Sequence, residues 1–225
     1  MEATRFSYEL IFVDDASTDQ TKDLIEDILK KNQGRVRMQA LFHERNIGRG
    51  GAVRDGFLAA QGDMVGYLDV DLEIPASVIL PCLLALRQGH DVAVGKRIYK
   101  FFLGRSFDRY VMTRGYAWLV QRVLRLHGLT DTESGCKFFR RDKVLPLLKR
   151  CQENGWFWDT EIMSLSYMAG LKIVEIPCLY LRRFDRPSTV RLLRDSIDCF
   201  VRLLRFRARI AEVRASLACL DEYDR

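Results

Sequence analysis

Apolar and polar positions along the chain alternate between two periods, one suited to strands and one to helices. Tyr8 to Val13 is a short β-type run ending on Asp14-Asp15, and Ser17 or Thr18 is placed to cap a helix from about Asp19 to Lys31. Val36 to Phe42 reads as a second strand, and Asn46-Ile47-Gly48-Arg49-Gly50-Gly51 leads into a helix from about Ala52 to Ala60. Gly62-Asp63 turns into the run Met64-Val65-Gly66-Tyr67-Leu68. Pro75 fits the first turn of a helix reaching about Gln88, and Asp91 to Gly95 is another short strand. Residues 105–127 show helical spacing through Tyr110, Thr113, Ala117, Val120, Val123 and Leu124, most simply as core. Leu171 to Ile176 is a later strand, expected to stop at Pro177. From about Val190 to Leu217 the pattern is one amphipathic helix or two, with Leu192, Leu193, Ile197, Phe200, Val201, Leu204 and Ile210 on one face and arginines on the other.

Strands and helices alternating at this length predict an α/β fold, a mostly parallel sheet flanked by helices, with ligands bound beyond the carboxyl ends of the strands. The acidic and glycine-rich segments fall at such ends. Asp69 and Asp71 close the third visible strand; residues two apart on an extended segment share a face, so both carboxylates could hold a hard divalent cation through oxygen. An acid pair closing a solvated turn is the plainer reading of that triplet taken alone.

With 225 residues, 48% hydrophobic and 29% charged, the chain has the composition of one globular domain. Its six cysteines form no C-x-x-C pair and it has three histidines, so neither a zinc site nor a disulfide framework is signalled. Reduced thiols and the lack of a leader-like start fit a cytoplasmic setting, and no apolar stretch approaches the roughly 18 residues of a membrane span. The net charge of +6 is unevenly spread. Every basic residue from Arg182 to Arg214 is an arginine, which suits planar contacts to phosphate, although a solvated helix face is the simpler account. The arginines lack aromatic interleaving or a recognised nucleic-acid module, so no nucleic acid is expected as a partner.

Seven motifs occur in one order: Asp14-Asp15-x-Ser17-x-Asp19, Asn46-x-Gly48-x-Gly50-x-Ala52, Gly62-Asp63, Asp69-x-Asp71-Leu72-Glu73-x-Pro75, Gly95-x-Arg97, Asp131-x-x-Ser134-Gly135 and Trp158-Asp159-x-Glu161. The series resembles the family 2 glycosyltransferases of GT-A fold, and within them the polyprenyl (dolichyl) phosphate mannosyl- and glucosyltransferases. It covers about residues 8–190.

The resemblance implies a nucleotide-sugar donor, GDP-mannose or UDP-glucose, a polyprenyl phosphate acceptor, and Mg2+ or Mn2+. By matching positions, Asp14 and Asp15 would face the nucleoside, and Asp69 and Asp71 would hold the metal against the diphosphate. Glu73 would either complete the metal shell or serve only as a first-turn acid. Gly48 and Gly50 allow close approach of backbone to ligand or positive φ, with Arg49 or Arg54 near phosphate, and a plain tight turn before a helix explains them equally well. Arg97 and Arg109 would lie near the leaving diphosphate and the acceptor phosphate. Asp131 would act as a base or orient the sugar or acceptor; a phosphate monoester, with its second pKa near about 6, is largely ionised at neutral pH and needs no strong base. Glu161 would bind substrate beside Trp156-Phe157-Trp158. The implied transfer inverts the anomeric carbon.

Two departures accompany the resemblance. Where related chains read Arg-x-x-Gly-x-Ser-Lys, this one has Arg183-Phe184-Asp185-Arg186-Pro187-Ser188-Thr189, so Arg183 and Ser188 match as acceptor-binding candidates while Arg186 and Thr189 do not. The family's first strand, of the type Val-Val-Ile-Pro-x-Tyr-Asn-Glu, is also missing before Tyr8. The organisation expected is therefore an N-terminally truncated GT-A-like domain over residues 1–190 and a basic amphipathic helical tail over 191–225, with peripheral contact to the cytoplasmic membrane face open to the tail. Two other readings stand beside lipid-phosphate transfer: a transferase acting on a glycan or small molecule, and a non-catalytic protein that binds nucleotide sugar or membrane.

Overall fold

The structure is a computed structural model describing residues 6–34, 36–99, 107–126, 128–181 and 192–221. In order, it contains β1 (Glu9–Asp14), α1 (Thr21–Lys31), β2 (Arg37–Phe42), α2 (Arg49–Ala59), β3 (Met64–Leu68), α3 (Ile79–Arg87), β4 (Val92–Tyr99), α4 (Phe107–Leu124), β5 (Cys136–Arg140), α5 (Arg141–Leu148), α6 (Trp158–Met168), β6 (Ile173–Tyr180), α7 (Leu192–Ala208) and α8 (Ile210–Asp221). A 3-10 turn, Ala76–Val78, follows Pro75 and leads into α3.

β1 and β2 pair in parallel, Glu9 opposite Arg37 and Asp14 opposite Phe42. The larger sheet runs β3-β5-β4-β6. Its β4–β6 ladder is parallel, whereas β5 is antiparallel to both of its neighbours. The alternation before residue 95 is therefore the expected α/β alternation, and β5 makes the sheet mixed. Among the described residues no ladder joins β1 to β3; α2 packs against both strands.

Two apolar cores flank the larger sheet. The main one gathers Phe57, Val94, Phe139, Trp158 and Ile162 with Leu203 and Phe206 of α7. The second sets Val78, Cys82 and Leu86 against Ala93, Cys136 and Tyr180. The basic segment expected from 191 onward thus forms α7 and α8, and Ile210, Val213 and Leu217 of α8 complete the main core.

Several local expectations are corrected. Asp19, rather than Ser17 or Thr18, accepts the first amide of α1, from Thr21 at 3.0 Å. Strand β6 runs through Pro177 to Tyr180, because it is the sheet's edge and a proline there forfeits no ladder bond on its outer side. On α7 the buried stripe is Cys199, Leu203 and Phe206. Ile197, Phe200, Val201 and Leu204, read along the chain as one apolar face, are exposed, because the helix carries two apolar stripes and the core takes the other one.

Candidate functional site

Strand ends carry the polar residues, as the alternation predicts, but the structure uses them unevenly. At the end of β1, Asp14 is buried and accepts the Ser17 amide at 3.2 Å. Asp15 accepts the Ile47 and Gly48 amides, both at 2.8 Å, and lies 2.9 Å from His43 Nδ1. Burial works to raise the Asp15 carboxyl, yet the Ile47 amide, His43 and the Gly48 amide together hold it below the usual range. Its carboxylate therefore organises the loop before α2. Gly48 has φ +95°, and a β-carbon there would come within 2.5 Å of the Asn154 carbonyl. Gly50 is needed because Trp158 packs directly against its Cα. These glycines thus admit the segment 154–158 and set Arg49 as the first residue of α2.

Arg49 is the hinge of a buried charge cluster. Its guanidinium donates to Asp69 Oδ1 at 2.8 Å through one nitrogen and to Asp159 Oδ2 through the other. It lies 5.2 Å from the Tyr67 ring centre and 5.5 Å from that of Trp156. Behind it Lys137 Nζ, fully buried, donates to Asp159 Oδ1 at 2.5 Å, Tyr67 Oη at 2.8 Å and the Ser134 carbonyl at 2.5 Å. Tyr67 Oη donates in turn to Asp159.

Electrostatics follow this layering. Burial pushes the Asp159 carboxyl up, but Arg49 and Lys137 outweigh it and leave the group below its ordinary value. Lys137 is drawn down by burial, with Asp159 opposing. Burial, and then the Asp159 charge, lift the Tyr67 phenol well above its usual value, so it stays protonated as a donor. Asp69 is lifted by burial, with Arg49 opposing.

Asp69 and Asp71 follow the last residue of β3. The Asp69 amide donates to the Gly135 carbonyl at 2.9 Å, and Asp69 Oδ2 packs so tightly on the Gly135 Cα that no β-carbon fits there. Asp71 is exposed, one oxygen accepting the Glu73 amide at 3.0 Å, and Leu72 between them has φ +54°. Glu73 is drawn instead to the end of β6, where it accepts the Tyr180 hydroxyl and its carbonyl accepts the Leu181 amide at 2.7 Å. The expected third ligand is thus committed elsewhere. Among the described residues no group of three acidic, histidine or cysteine side chains is arranged to hold an ion. What remains is Asp69, one oxygen already carrying a guanidinium as a stand-in cation, and Asp71 in the turn that follows it, closed by the Leu72 amide on the Asp69 carbonyl at 3.1 Å. The shared strand face expected of the pair is thus replaced by a turn; carboxylate oxygen remains the donor type that fits Mg2+ or Mn2+ when diphosphate and water complete the shell.

Asp131 and Arg97 form a second unit. Asp131 accepts from Arg97 Nε at 2.8 Å, Nη2 at 2.7 Å and the backbone amide at 3.1 Å. Burial disfavours the guanidinium, but Asp131 outweighs it and raises its pKa. Glu175 steadies this unit from β6 by accepting the Thr130 and Asp131 amides at 2.6 and 3.1 Å. Glu133 Oε2 stands 4.0 Å from Arg97, and burial lifts its carboxyl, with Arg97 opposing.

Glu161, expected to bind substrate, lies on the far side of α6 from the Asp69 cluster's contacts. It is fully buried and accepts the Gln152 and Glu153 amides and Arg209 of the helix pair at 2.6 Å. Residues two apart on a helix point to different sides, so Asp159 joins the charge cluster while Glu161 anchors the C-terminal helices. Arg109 is in the first turn of α4, with its side chain outside the described set, and Arg183 and Ser188 lie outside the described residues. The cluster around Asp69 therefore brings in Tyr67, Lys137 and Asp159 beside Arg49, which the sequence sets near phosphate. Of these only Asp159 sat inside a quoted acidic motif, and Arg49 inside the glycine-rich one.

The order of strands and helices, with paired acids after β3, defines a GT-A glycosyltransferase fold. Residues 2–147 match the family model "Glycosyl transferase family 2", and the chain belongs to that family. It is 32% identical over 202 residues to glycosyltransferase AglD of Haloferax volcanii, covering 88% of this chain and 31% of that protein. It is 28% identical over 180 residues to the dolichyl-phosphate beta-glucosyltransferase of Dictyostelium discoideum, covering 76% of this chain and 54% of the other. The chain thus spans about a third and about half of these two relatives' length. Among solved structures it resembles glucosyl-3-phosphoglycerate synthase from Mycobacterium tuberculosis in complex with Mn2+, UDP and glucosyl-3-phosphoglycerate, with TM-score 0.61 and 20% identity over 88% of this chain and 68% of that one. It also resembles mannosyltransferase PcManGT from Pyrobaculum calidifontis in complex with GDP-Man and Mn2+, with TM-score 0.51 and 13% identity over 96% and 66%.

Proposed function

We propose that the chain transfers a hexose from a nucleotide sugar to a polyprenyl phosphate, inverting the anomeric carbon. The observation that carries the reading is Asp69, fixed between Gly135 and Arg49 beside the exposed Asp71 at the carboxyl end of β3. The name shared by several relatives, dolichyl-phosphate beta-glucosyltransferase, favours a lipid-linked phosphate acceptor and UDP-glucose over GDP-mannose.

In this reaction an oxygen of the acceptor phosphate forms a bond to the anomeric carbon as that carbon's bond to the nucleoside diphosphate breaks. Mg2+ or Mn2+ held by Asp69 and Asp71 would neutralise charge on the departing diphosphate. Asp15 keeps the loop before α2 in shape, and Arg97 supplies a fixed positive charge whose direction Asp131 sets. With both oxygens accepting from Arg97, Asp131 fits orientation better than proton abstraction. Arg109, Arg183 and Ser188 are carried as acceptor-side candidates on the resemblance alone, and the division at residue 190 is carried likewise.

Docking on an anionic leaflet completes the reading. No helix among the described residues is long and apolar enough to cross a membrane. The exposed stripe Ile197, Phe200, Val201 and Leu204, with exposed Arg205 and Arg207 on its flanks, is instead suited to lying in the interface.

The test is incubation with labelled UDP-glucose or GDP-mannose, Mg2+ and a polyprenyl phosphate. Lipid-extractable label should appear and Asp71→Ala should abolish it. Equal transfer by the variant, or label passing only to a soluble acceptor, would remove the reading.

A further inference from the structure

Arg49 has two carboxylate partners of unequal freedom. Asp159 is buried, its side chain 4% exposed, and its second oxygen is held by Lys137 and Tyr67. Asp69 is the more open of the two, its side chain 41% exposed, with Oδ2 pressed on Gly135 and Oδ1 on the guanidinium. A cation arriving at Asp69 must share Oδ1 with a guanidinium 2.8 Å away that also lies over the Tyr67 and Trp156 rings. Like charges at that range repel strongly where water is sparse. A diphosphate arriving with the ion changes the balance. Its oxygens offer the guanidinium a new acceptor, and arginine's planar fork suits phosphate as well as carboxylate.

From this geometry we propose that Arg49 is a built-in counter-cation that occupies the metal's place on Asp69, so that the divalent ion and the nucleoside diphosphate load together and the bare ion is held off. The inference rests on the nucleotide-sugar reading above and adds to it an order of assembly. Asp159 retains one arm of the fork throughout, while the arm on Asp69 passes to the diphosphate. Lys137 and Tyr67 keep Asp159 charged and still, which makes the exchange one of partner at a single arginine nitrogen.

The experiment measures Mn2+ binding to the full chain by loss of the free-ion paramagnetic resonance signal, without nucleotide and with UDP or GDP, corrected for the ion's own affinity for the nucleotide. In the unmodified protein the better nucleotide should tighten Mn2+ by about tenfold or more, an effect expected of coupled sites. Arg49→Gln should bind the bare ion about tenfold tighter and lose most of the gain from nucleotide. Arg49→Lys, which keeps the charge, should again hold the bare ion off. The proposal is overturned if Arg49→Gln, with an unchanged circular dichroism spectrum, binds bare Mn2+ no tighter than the parent. Should that variant not fold, the parent decides alone: a nucleotide effect below about twofold overturns the proposal. No Mn2+ uptake with either nucleotide would remove the nucleotide-sugar reading itself, and this inference with it.

Discussion

Lys137 Nζ lies 2.5 Å from Asp159 Oδ1, and both side chains are sealed from solvent. A lysine and an aspartate at this depth have each lost their hydration, and they are stable only as a hydrogen-bonded set with Tyr67, Ser134 and Arg49. Removing one member strands the other. Lys137→Met should therefore cost about 3–5 kcal/mol in denaturant unfolding. The double variant Lys137→Met with Asp159→Asn should recover at least about 1 kcal/mol of the summed single losses, because the sites share partners. Strict additivity would show that the pair is not a unit.

Gly135→Ala separates positioning from stability. The added methyl would press into the Asp69 carboxylate, so the carboxylate must move and the clasp with Arg49 must shift. Transfer should fall by about tenfold or more while unfolding stability drops by about 1–3 kcal/mol, the range for overpacking. Gly115→Ala is the matched control on α4, where the glycine is exposed and a β-carbon meets nothing. That change should leave transfer intact and raise stability by about 0.5–1 kcal/mol, read from melting curves.

How much of this could be read along the chain depends on which period each acid sits in. Asp14, Asp15, Asp69 and the glycine-rich loop were legible because strand, loop and helix succeed one another cleanly before residue 95. Asp159 and Glu161 were not separable, since α6 is buried on every side and its polar residues do not mark a solvent face: residues 158–166 are all buried. Read as an extended pair the two acids would share a face, and as helix residues they part, one to the charge cluster and one to Arg209. Lys137 was invisible for another reason, that lysine is rarely fully buried. Its only signal was its place in Cys136-Lys137-Phe138-Phe139, a run whose strand is buried on both faces. Glu73 carried the right motif position, but nothing local foretold that β6 would continue past Pro177 and bring Tyr180 to it.

Asp15 gives a pH dependence with a defined sign. The Ile47 amide, His43 and the Gly48 amide overcome its burial and hold its folded-state carboxyl below the unfolded value. A depressed carboxyl stabilises the fold above the unfolded pKa, and that contribution is lost as pH falls through the folded value. Asp15→Asn should thus lose roughly 2 kcal/mol near neutrality, the scale of hydrogen bonds to a charged acceptor. The difference from the parent should shrink steadily in unfolding curves taken below about pH 4. A gap that stays constant with pH would assign the loss to shape rather than charge.

The exposed stripe on α7 is the last testable element, and helix geometry makes its prediction specific. At about 3.6 residues per turn, Ile197, Phe200, Val201 and Leu204 fall on one side, nearly opposite the buried Cys199, Leu203 and Phe206. Trp118 of α4, the helix packed against α7, is likewise exposed. An apolar face turned away from the core with arginines beside it costs solubility unless something covers it, and a bilayer surface supplies both the apolar depth and the anionic charge. The full chain should therefore sediment with vesicles containing phosphatidylserine and do so weakly with phosphatidylcholine alone. Phe200→Ser together with Leu204→Ser should reduce that binding by about a hundredfold or more, since each removes a side chain worth about 1.5–3 kcal/mol when buried, while leaving the melting temperature close to the parent's. Raising salt should weaken the parent's binding without abolishing it, because only the arginine share is screened. Unchanged sedimentation of the double variant would mean that another surface meets the lipid.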